Sequence, residues 1–326
     1  MPDPRMTASL QSPWPRRLAL WTFLCAVPLV LFGGTVTTLR AGLAESGWLV
    51  PDGYFLWLYP LEMRVRDLGT FVEHHHREFG SLVGLLAVAL VVTTFARDRR
   101  PAARWLAVSA LLVISLQGAI GGFRVLERNP DLAFLHGALA HAVFAYLAAV
   151  ALWFSRGFSA AQATLPSAPV GFSTLTCAVV YAQIVVGAMF RHTQVPLALA
   201  LHVMLALGVV GAVTRLGMAF GAAARSPVLG DAERRVLQRT RVMLIGLVWT
   251  QVALGLLATL MIFQVSGGPE GNVSAGEAVF ATLHVAVGAA LMAQCVAAAL
   301  WSRRLCPASR RVPAAVLPAR SAEVLP

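Results

Sequence analysis

The sequence predicts an all-α polytopic membrane protein whose eight transmembrane helices form two pseudo-repeated four-helix bundles. Three observations carry this reading. The 326 residues are 58% hydrophobic and 13% charged, where a soluble domain carries about 25% charged residues. Apolar runs long enough to cross about 30 Å of hydrocarbon recur along nearly the whole chain. A polar motif in the third run returns in the fifth and the seventh.

The runs read as spans over 18–38, 71–96, 102–123, 132–155, 169–190, 195–220, 241–264 and 276–301. They divide the chain into a tail (1–17), an N-terminal four-helix half (18–155), a linker (156–168), a C-terminal four-helix half (169–302) and a second tail (303–326). The first run follows Arg16 and Arg17 and ends near small residues, as a signal peptide does. Its length exceeds a usual h-region, which favours an uncleaved span. Residues 1–15 and 307–326 are rich in Pro, Ser, Ala and Arg without a periodic apolar face, and read as disordered. The Ser/Ala/Pro stretch 156–168 reads as a hinge, and 225–240 as a charged loop with a short helix.

A net charge of +11 invites a nucleic-acid partner, but the distribution argues against one. No lysine occurs, so all 26 basic residues are arginine, and nineteen of them lie on one side of the predicted topology. That is the positive-inside asymmetry. It predicts an inner-membrane protein with both termini in the cytoplasm. Cys25, Cys177 and Cys295 lie within spans and Cys306 just beyond the last, so no outer-loop disulfide and no thiolate metal site is expected.

The repeated motif is Gln117-x-x-x-Gly121, followed by Arg124 and His136; then Gln183-x-x-x-Gly187, followed by Arg191 and His202; then Gln251-x-x-x-Gly255, leading to His284. The Gln-to-His separation is 19 residues in the first two copies. Gln and Gly at i and i+4 share a helix face. Taken singly, each pair is ordinary packing, with Gly admitting a neighbour and Gln bonding across it. Recurrence favours close approach to a flat ligand, with Gln117, Gln183 and Gln251 lining its pocket.

Four histidines, His76, His136, His202 and His284, fall near the starts of alternate spans and so at one membrane depth, on the outer side. A lone intramembrane histidine is often an interhelical hydrogen-bonder, but ionisable groups there usually face the bundle interior and mark a function. Four at equal depth pair as His76 with His136 and His202 with His284, which fits bis-histidine ligation of two haems. The alternative, zinc or copper held by Glu73 and the run His74-His75-His76, leaves the distant C-terminal pair without a role.

Glu73, His76 and Arg77 share one helix side. The carboxylate reads either as a base, proton relay or charge stabiliser beside a haem ligand, or as an ion-pair partner of Arg77. His74 and His75 point elsewhere and are expected to line the outer surface. His141 is expected to pack, and His192 to sit at a pocket rim. Arg77, Arg124 and Arg191 stand on the outer side against the general bias, placed either to bind haem propionates or to anchor helices at the interface.

The chain resembles the haem A synthase family over about residues 20–300. The resemblance rests on Gly33-Gly34-Thr35-Val36-Thr37-Thr38, Ala41-Gly42-Leu43-Ala44, Trp48, Leu58-Tyr59-Pro60, Glu73-His74-His75-His76-Arg77, Gln117 through Gly121-Gly122 and Arg124, His136-Gly137, Gln183 through Gly187, Arg191-His192-Thr193, His202 and His284. It implies oxidation of the C8 methyl of haem O to the formyl group of haem A, through an alcohol and its hydrate. It implies resident haem b on His202 and His284, substrate haem O at His76 and His136, and Glu73 as the catalytic carboxylate. Implied partners are haem O, membrane lipid, haem O synthase and an electron acceptor such as quinone. Two departures stand out. The first outer loop reads Glu45-Ser46-Gly47-Trp48 in place of the family's Asp-Trp-Pro element, and the cysteine pair of many relatives is absent.

Two other classes compete. A di-haem b-type electron-transfer cytochrome keeps all four histidines but does not need Glu73 beside His76. A haem transporter or chaperone does not need a second fixed haem.

Overall fold

The computed structural model describes residues 12–165 and 168–306, and among these every regular element is helical. Eight helices are long and apolar enough to span a membrane: α1 (Trp14–Thr38), α3 (Leu68–Arg97), α4 (Pro101–Leu126), α5 (Pro130–Trp153), α7 (Val170–Thr193), α8 (Pro196–Ala223), α9 (Asp231–Leu260, continued by a π turn over Met261–Val265) and α10 (Ala275–Leu305). The short α2 (Leu61–Arg64) and α6 (Arg156–Ala160) lie between them. The protein is a multi-pass membrane protein. Leu207 (69% exposed), Leu85 (60%) and Trp105 (73%) face outward, as lipid-facing residues do, because hydrocarbon offers no hydrophobic drive to bury them.

The element order matches the expected spans, and the boundaries shift for local reasons. α1 begins at Trp14 rather than 18, since Pro15 lies in its first turn, where a missing N–H costs nothing. α9 begins at Asp231, so more than half of the expected 225–240 loop is the first turns of a span. Asp231 and Glu233 there suit the positive end of the helix dipole. The expected tails fall mostly outside the described residues. The linker runs from α6 into coil and is tied down: Leu165 N–H donates to Leu305 O at 2.7 Å, and Phe158 meets Trp301 edge-on at 5.0 Å.

Three of the four histidine-bearing helices start at a side-chain cap; α8, which carries His202, starts at Pro196 without one. Asp67 caps α3 by accepting from Thr70 N–H, Asn129 caps α5 from Asp131 and Leu132 N–H, and Ser274 caps α10 from Glu277 N–H. Each cap fixes where a histidine-bearing helix begins and hence the height of its histidine. At the same end α1, α4 and α7 stop in left-handed residues, Arg40 (φ 55°), Arg128 (φ 50°) and Gln194 (φ 57°), which turn the chain back on itself.

α1, α3, α4 and α5 pack on one another in a ring, as do α7, α8, α9 and α10. The two groups meet where α10 packs against α1 and α5, and α5 against α7. α10 is the most enclosed span, with half of its central window buried. Small residues such as Ala289 and Ala298, both fully buried, let its neighbours approach.

Candidate functional site

The four histidines are brought together in the expected pairs. The rings of His76 and His136 lie 6.3 Å apart at 87°, and those of His202 and His284 6.2 Å apart at 70°. Each is seated the same way on the long helix that precedes its own. His76 Nδ1 lies 3.1 Å from Leu29 O, His136 Nδ1 3.2 Å from Gln117 O, His202 Nδ1 3.1 Å from Gln183 O and His284 Nδ1 3.2 Å from Gln251 O. A carbonyl only accepts, so this seating calls for a proton on Nδ1 and leaves Nε2 as the basic nitrogen a metal ligand needs, while at His136 the Gln117 amide also stands 3.1 Å from Nδ1.

One turn beyond each of those carbonyls stands a glycine. A Cβ at Gly33, Gly121, Gly187 or Gly255 would lie 2.8, 2.7, 2.6 or 2.9 Å from the imidazole Cε1, closer than van der Waals contact allows. The glycines therefore serve the histidine rings directly. The motif has a fourth copy that the sequence conceals, because Leu29 stands where the others carry glutamine.

The glutamines are not equivalent. Gln117 Nε2 and Gln183 Nε2 donate to the backbone carbonyls of His136 and His202, each at 2.9 Å. Gln251 Nε2 instead lies 3.2 Å from His284 Nε2, the ligand nitrogen itself. Gln251 reaches a histidine 33 residues away, past the π turn and a longer loop. The Oε1 atoms of all three are buried without a hydrogen-bond partner.

Around the N-terminal pair lies a dense polar cluster. Glu73 is 1% exposed. Its Oε2 accepts from the Glu45 backbone N–H at 3.0 Å and its Oε1 from Arg77 Nη2 at 2.9 Å. Arg77 also donates to the carbonyls of Gly47, Trp48 and Glu45, so it clamps the loop after α1. Trp48 lies flat on Gly122, where a Cβ would come within 2.2 Å of the indole.

His74 does not line the surface as expected. It is fully buried, its Nδ1 2.7 Å from Glu45 Oε1 and its ring 4.6 Å from that of Tyr59. A histidine next to a buried glutamate on an apolar helix needs its own partner, and Glu45, the single acid between α1 and Trp48, supplies it. That lone acid was the available signal for Glu45. His75 is half-buried between Phe71 (4.2 Å) and Phe32 (5.4 Å). His141 packs, with Nδ1 3.1 Å from Gly137 O, and His192 stands against Gly137 and edge-on to Phe134.

The three arginines part company. Arg191 donates to Gly34 O at 2.9 Å and to the Thr38 hydroxyl, joining α7 to α1. Arg77 is committed to the loop. Arg124 lies over Gly42, within electrostatic reach of Glu73, His76 and His136, and its buried Nε has no hydrogen-bond partner. Among the described residues no three His, Cys, Asp or Glu side chains converge to hold a metal ion, so the Glu73–His76 run does not form a zinc or copper cluster there.

Residues 55–199 match the family model of COX15-CtaA, the cytochrome oxidase assembly proteins. The heme A synthase of Symbiobacterium thermophilum is 32% identical over 179 residues, 50% of this chain and 54% of that protein. The heme A synthase of Chelativorans sp. (strain BNC1) is 29% identical over 140 residues, 41% of this chain and 39% of that protein. The chain spans about half or less of the length of the two relatives it matches. The family model covers Glu73, Arg77 and the His76–His136 pair, while Glu45 and Trp48 precede it and His202 and His284 lie beyond it.

The residues present fit haem. Two imidazole nitrogens about 2 Å from one iron put the ring centres about 6 Å apart, the separation seen in both pairs. All four rings turn Nδ1 to a helix carbonyl, and the unpartnered donor on Arg124 suits a carboxylate.

Proposed function

We propose that this protein is a haem A synthase, an oxidoreductase that converts the C8 methyl of haem O to the formyl group of haem A. The observation that carries the reading is an asymmetry between two otherwise similar sites. Three residues before His76 stands the buried carboxylate of Glu73, whereas Ala133, Leu199 and Ala281 hold that offset before His136, His202 and His284. Two sites that merely passed electrons would not need one of them furnished with a buried acid.

In this reading His76 and His136 hold substrate haem O, and His202 and His284 hold haem b. When bound, haem b supplies one-electron storage next to the substrate, and the tuning of its potential falls to its axial histidines. Glu73 faces the methyl that is oxidised, where it stabilises developing positive charge or accepts the proton released. Arg77 holds Glu73 and the loop together; the formyl oxygen comes from water, and the methyl and that water give up four electrons and four protons on the way to the aldehyde. Arg124 takes a propionate, and Gln117 and Gln183 steady the helix carbonyls behind two of the ligands. Gln251 turns from His284 Nε2 toward the neighbouring carbonyl when that nitrogen is in use. The arginine distribution puts the loop-bearing end outside and both termini in the cytoplasm. A prenylated haem is amphipathic and enters from lipid, supplied by haem O synthase, and the electrons pass to an acceptor such as quinone.

The test is pigment extraction from membranes that make haem O and express the chain, as wild type and as Glu73→Ala. Haem A or its alcohol precursor in the wild type, with conversion reduced at least 100-fold in the variant, is the expected outcome. Unmodified haem in both, with an intact b-type spectrum, would identify an electron-transfer cytochrome instead.

A further inference from the structure

The Glu45–His74 pair takes no part in the function proposed above, yet it is among the best-buried polar pairs in the molecule. Both side chains are inaccessible to solvent, and Nδ1 and Oε1 lie 2.7 Å apart. Glu45 belongs to the loop after α1, whereas His74 follows Glu73 on α3. Successive helix residues point about 100° apart, so His74 faces away from the side that carries Glu73 and His76 and meets the loop behind them.

The loop reaches Glu73 through one residue. Glu45 gives its backbone N–H to Glu73 Oε2 (3.0 Å) and turns its own carboxylate to His74 on one side and to Arg77 Nε (3.4 Å) on the other. Arg77 in turn holds Glu73 Oε1 at 2.9 Å. Both oxygens of Glu73 thus depend on where Glu45 sits, and Glu45 is fixed by His74. His74 is backed by Glu78 Oε1, 3.5 Å from its Nε2, and Arg64 pairs with that same oxygen at 3.4 Å.

A buried pair of ionisable side chains is a poor way to gain stability, because desolvation offsets its attraction and apolar residues of equal volume do as well or better. What such a pair supplies is direction. Two carboxylates share the one guanidinium of Arg77, and without a second partner Glu45 would compete with Glu73 for it. We propose that Glu45 and His74 are positioning residues that set the orientation of the Glu73 carboxylate, His74 drawing Glu45 aside so that Arg77 and the Glu45 amide are left to Glu73. The proposal rests on the reading of Glu73 as the group that acts on bound haem.

The experiment is a double-mutant cycle on the haem-loaded protein with two readouts, haem O conversion and the midpoint potential of the N-terminal haem, identified as the component lost in His136→Leu. His74→Phe keeps the stacking on Tyr59 and removes the hydrogen bond. It is expected to lower kcat about 10- to 100-fold, the usual effect of removing a partner one shell out, with KM little changed. It should also shift the N-terminal potential in the same direction as Glu73→Gln, with the C-terminal potential fixed. His74→Asn, which restores an N–H near the Nδ1 position, should recover most of both. Combined with Glu73→Gln, His74→Phe should add nothing, because the two act as a unit.

Losses that multiply in the double variant, or a folded His74→Phe protein with unchanged kcat and potential, would overturn the proposal. So would a failure of His74→Asn to rescue. Should His74→Phe not accumulate, Glu45→Gln, which keeps the amide and the shape, carries the same cycle. A wild type that leaves haem O unmodified while the potentials still couple would sink the synthase reading and leave the positioning role standing.

Discussion

The smallest unit that decides this site is a glycine facing a histidine. At Gly187 a methyl group would come within 2.6 Å of His202 Cε1, while at Gly118, one residue past Gln117, nothing lies within 4 Å. Both are helix-interior positions where alanine is intrinsically preferred. Gly187→Ala is therefore expected to displace the His202 ring, cost about 1–3 kcal/mol of strain and remove the C-terminal haem component from the absorption spectrum. Gly118→Ala should leave both components intact. Much of this was legible in the sequence: the Gln-x-x-x-Gly recurrence and the common depth of the histidines both point to the pairs. The Leu29–Gly33 copy was not, since a backbone carbonyl does the bonding and the side chain above it is free to vary. Nor was the fate of His74, because a histidine run on one helix does not reveal which member meets an acid from a distant loop.

At the scale of elements, the loop between α1 and α3 does more than connect. It is held by Arg77 through three carbonyls, by Trp48 on Gly122 and by the Ser46–Asp52–Tyr59 hydrogen bonds, with Ser46 Oγ and Tyr59 Oη each 2.7 Å from Asp52. Burial alone would raise the Asp52 carboxyl, yet the bonds from Ser46 and Tyr59 hold it below its ordinary value. Glu45 goes the other way. Burial pushes its carboxyl up to about 7, with Arg77 opposing and Glu73 adding to the rise. Below the ordinary carboxylate range Glu45 is protonated in folded and unfolded chains alike. Between that range and about 7 the folded protein keeps a proton that the unfolded chain has released, so stability is lost as pH rises through that window. The slope is at most about 1.4 kcal/mol per pH unit. Thermal unfolding of the purified protein should show a falling midpoint from roughly pH 5 to 8, and Glu45→Gln should flatten it. Sequence located this loop and its aromatic residues, but its closure depends on contacts between residues 28 to 32 apart, which no local pattern encodes.

For the molecule as a whole, lipid and protein divide the apolar surface between them. The eight spans were legible because each is continuous and apolar, whereas which faces turn inward was not, since a residue that meets lipid looks like one that meets another helix. α10 resolves this, packing against helices of both four-helix groups. Ala289→Leu, at a fully buried position on it, is expected to cost about 1–3 kcal/mol by overpacking and to deplete both haem components together. Trp105→Ala, at a site 73% exposed, should change stability by no more than about 0.5 kcal/mol. Detergent-solubilised protein, scored by absorbance per unit of chain, would separate the two.

The seating of each imidazole on a helix carbonyl has a consequence for anyone who builds proteins. The ligand is aimed by an atom that every residue except its glycine neighbour leaves unchanged, so two antiparallel helices with a glycine opposite a histidine amount to a portable part. Four such parts occur here, two with a glutamine that braces the histidine carbonyl and two, at Leu29 and Gln251, without that brace. The brace is dispensable and the glycine is not, which reduces the recipe for an oriented metal-binding imidazole in a designed membrane bundle to one small residue, one turn past the carbonyl.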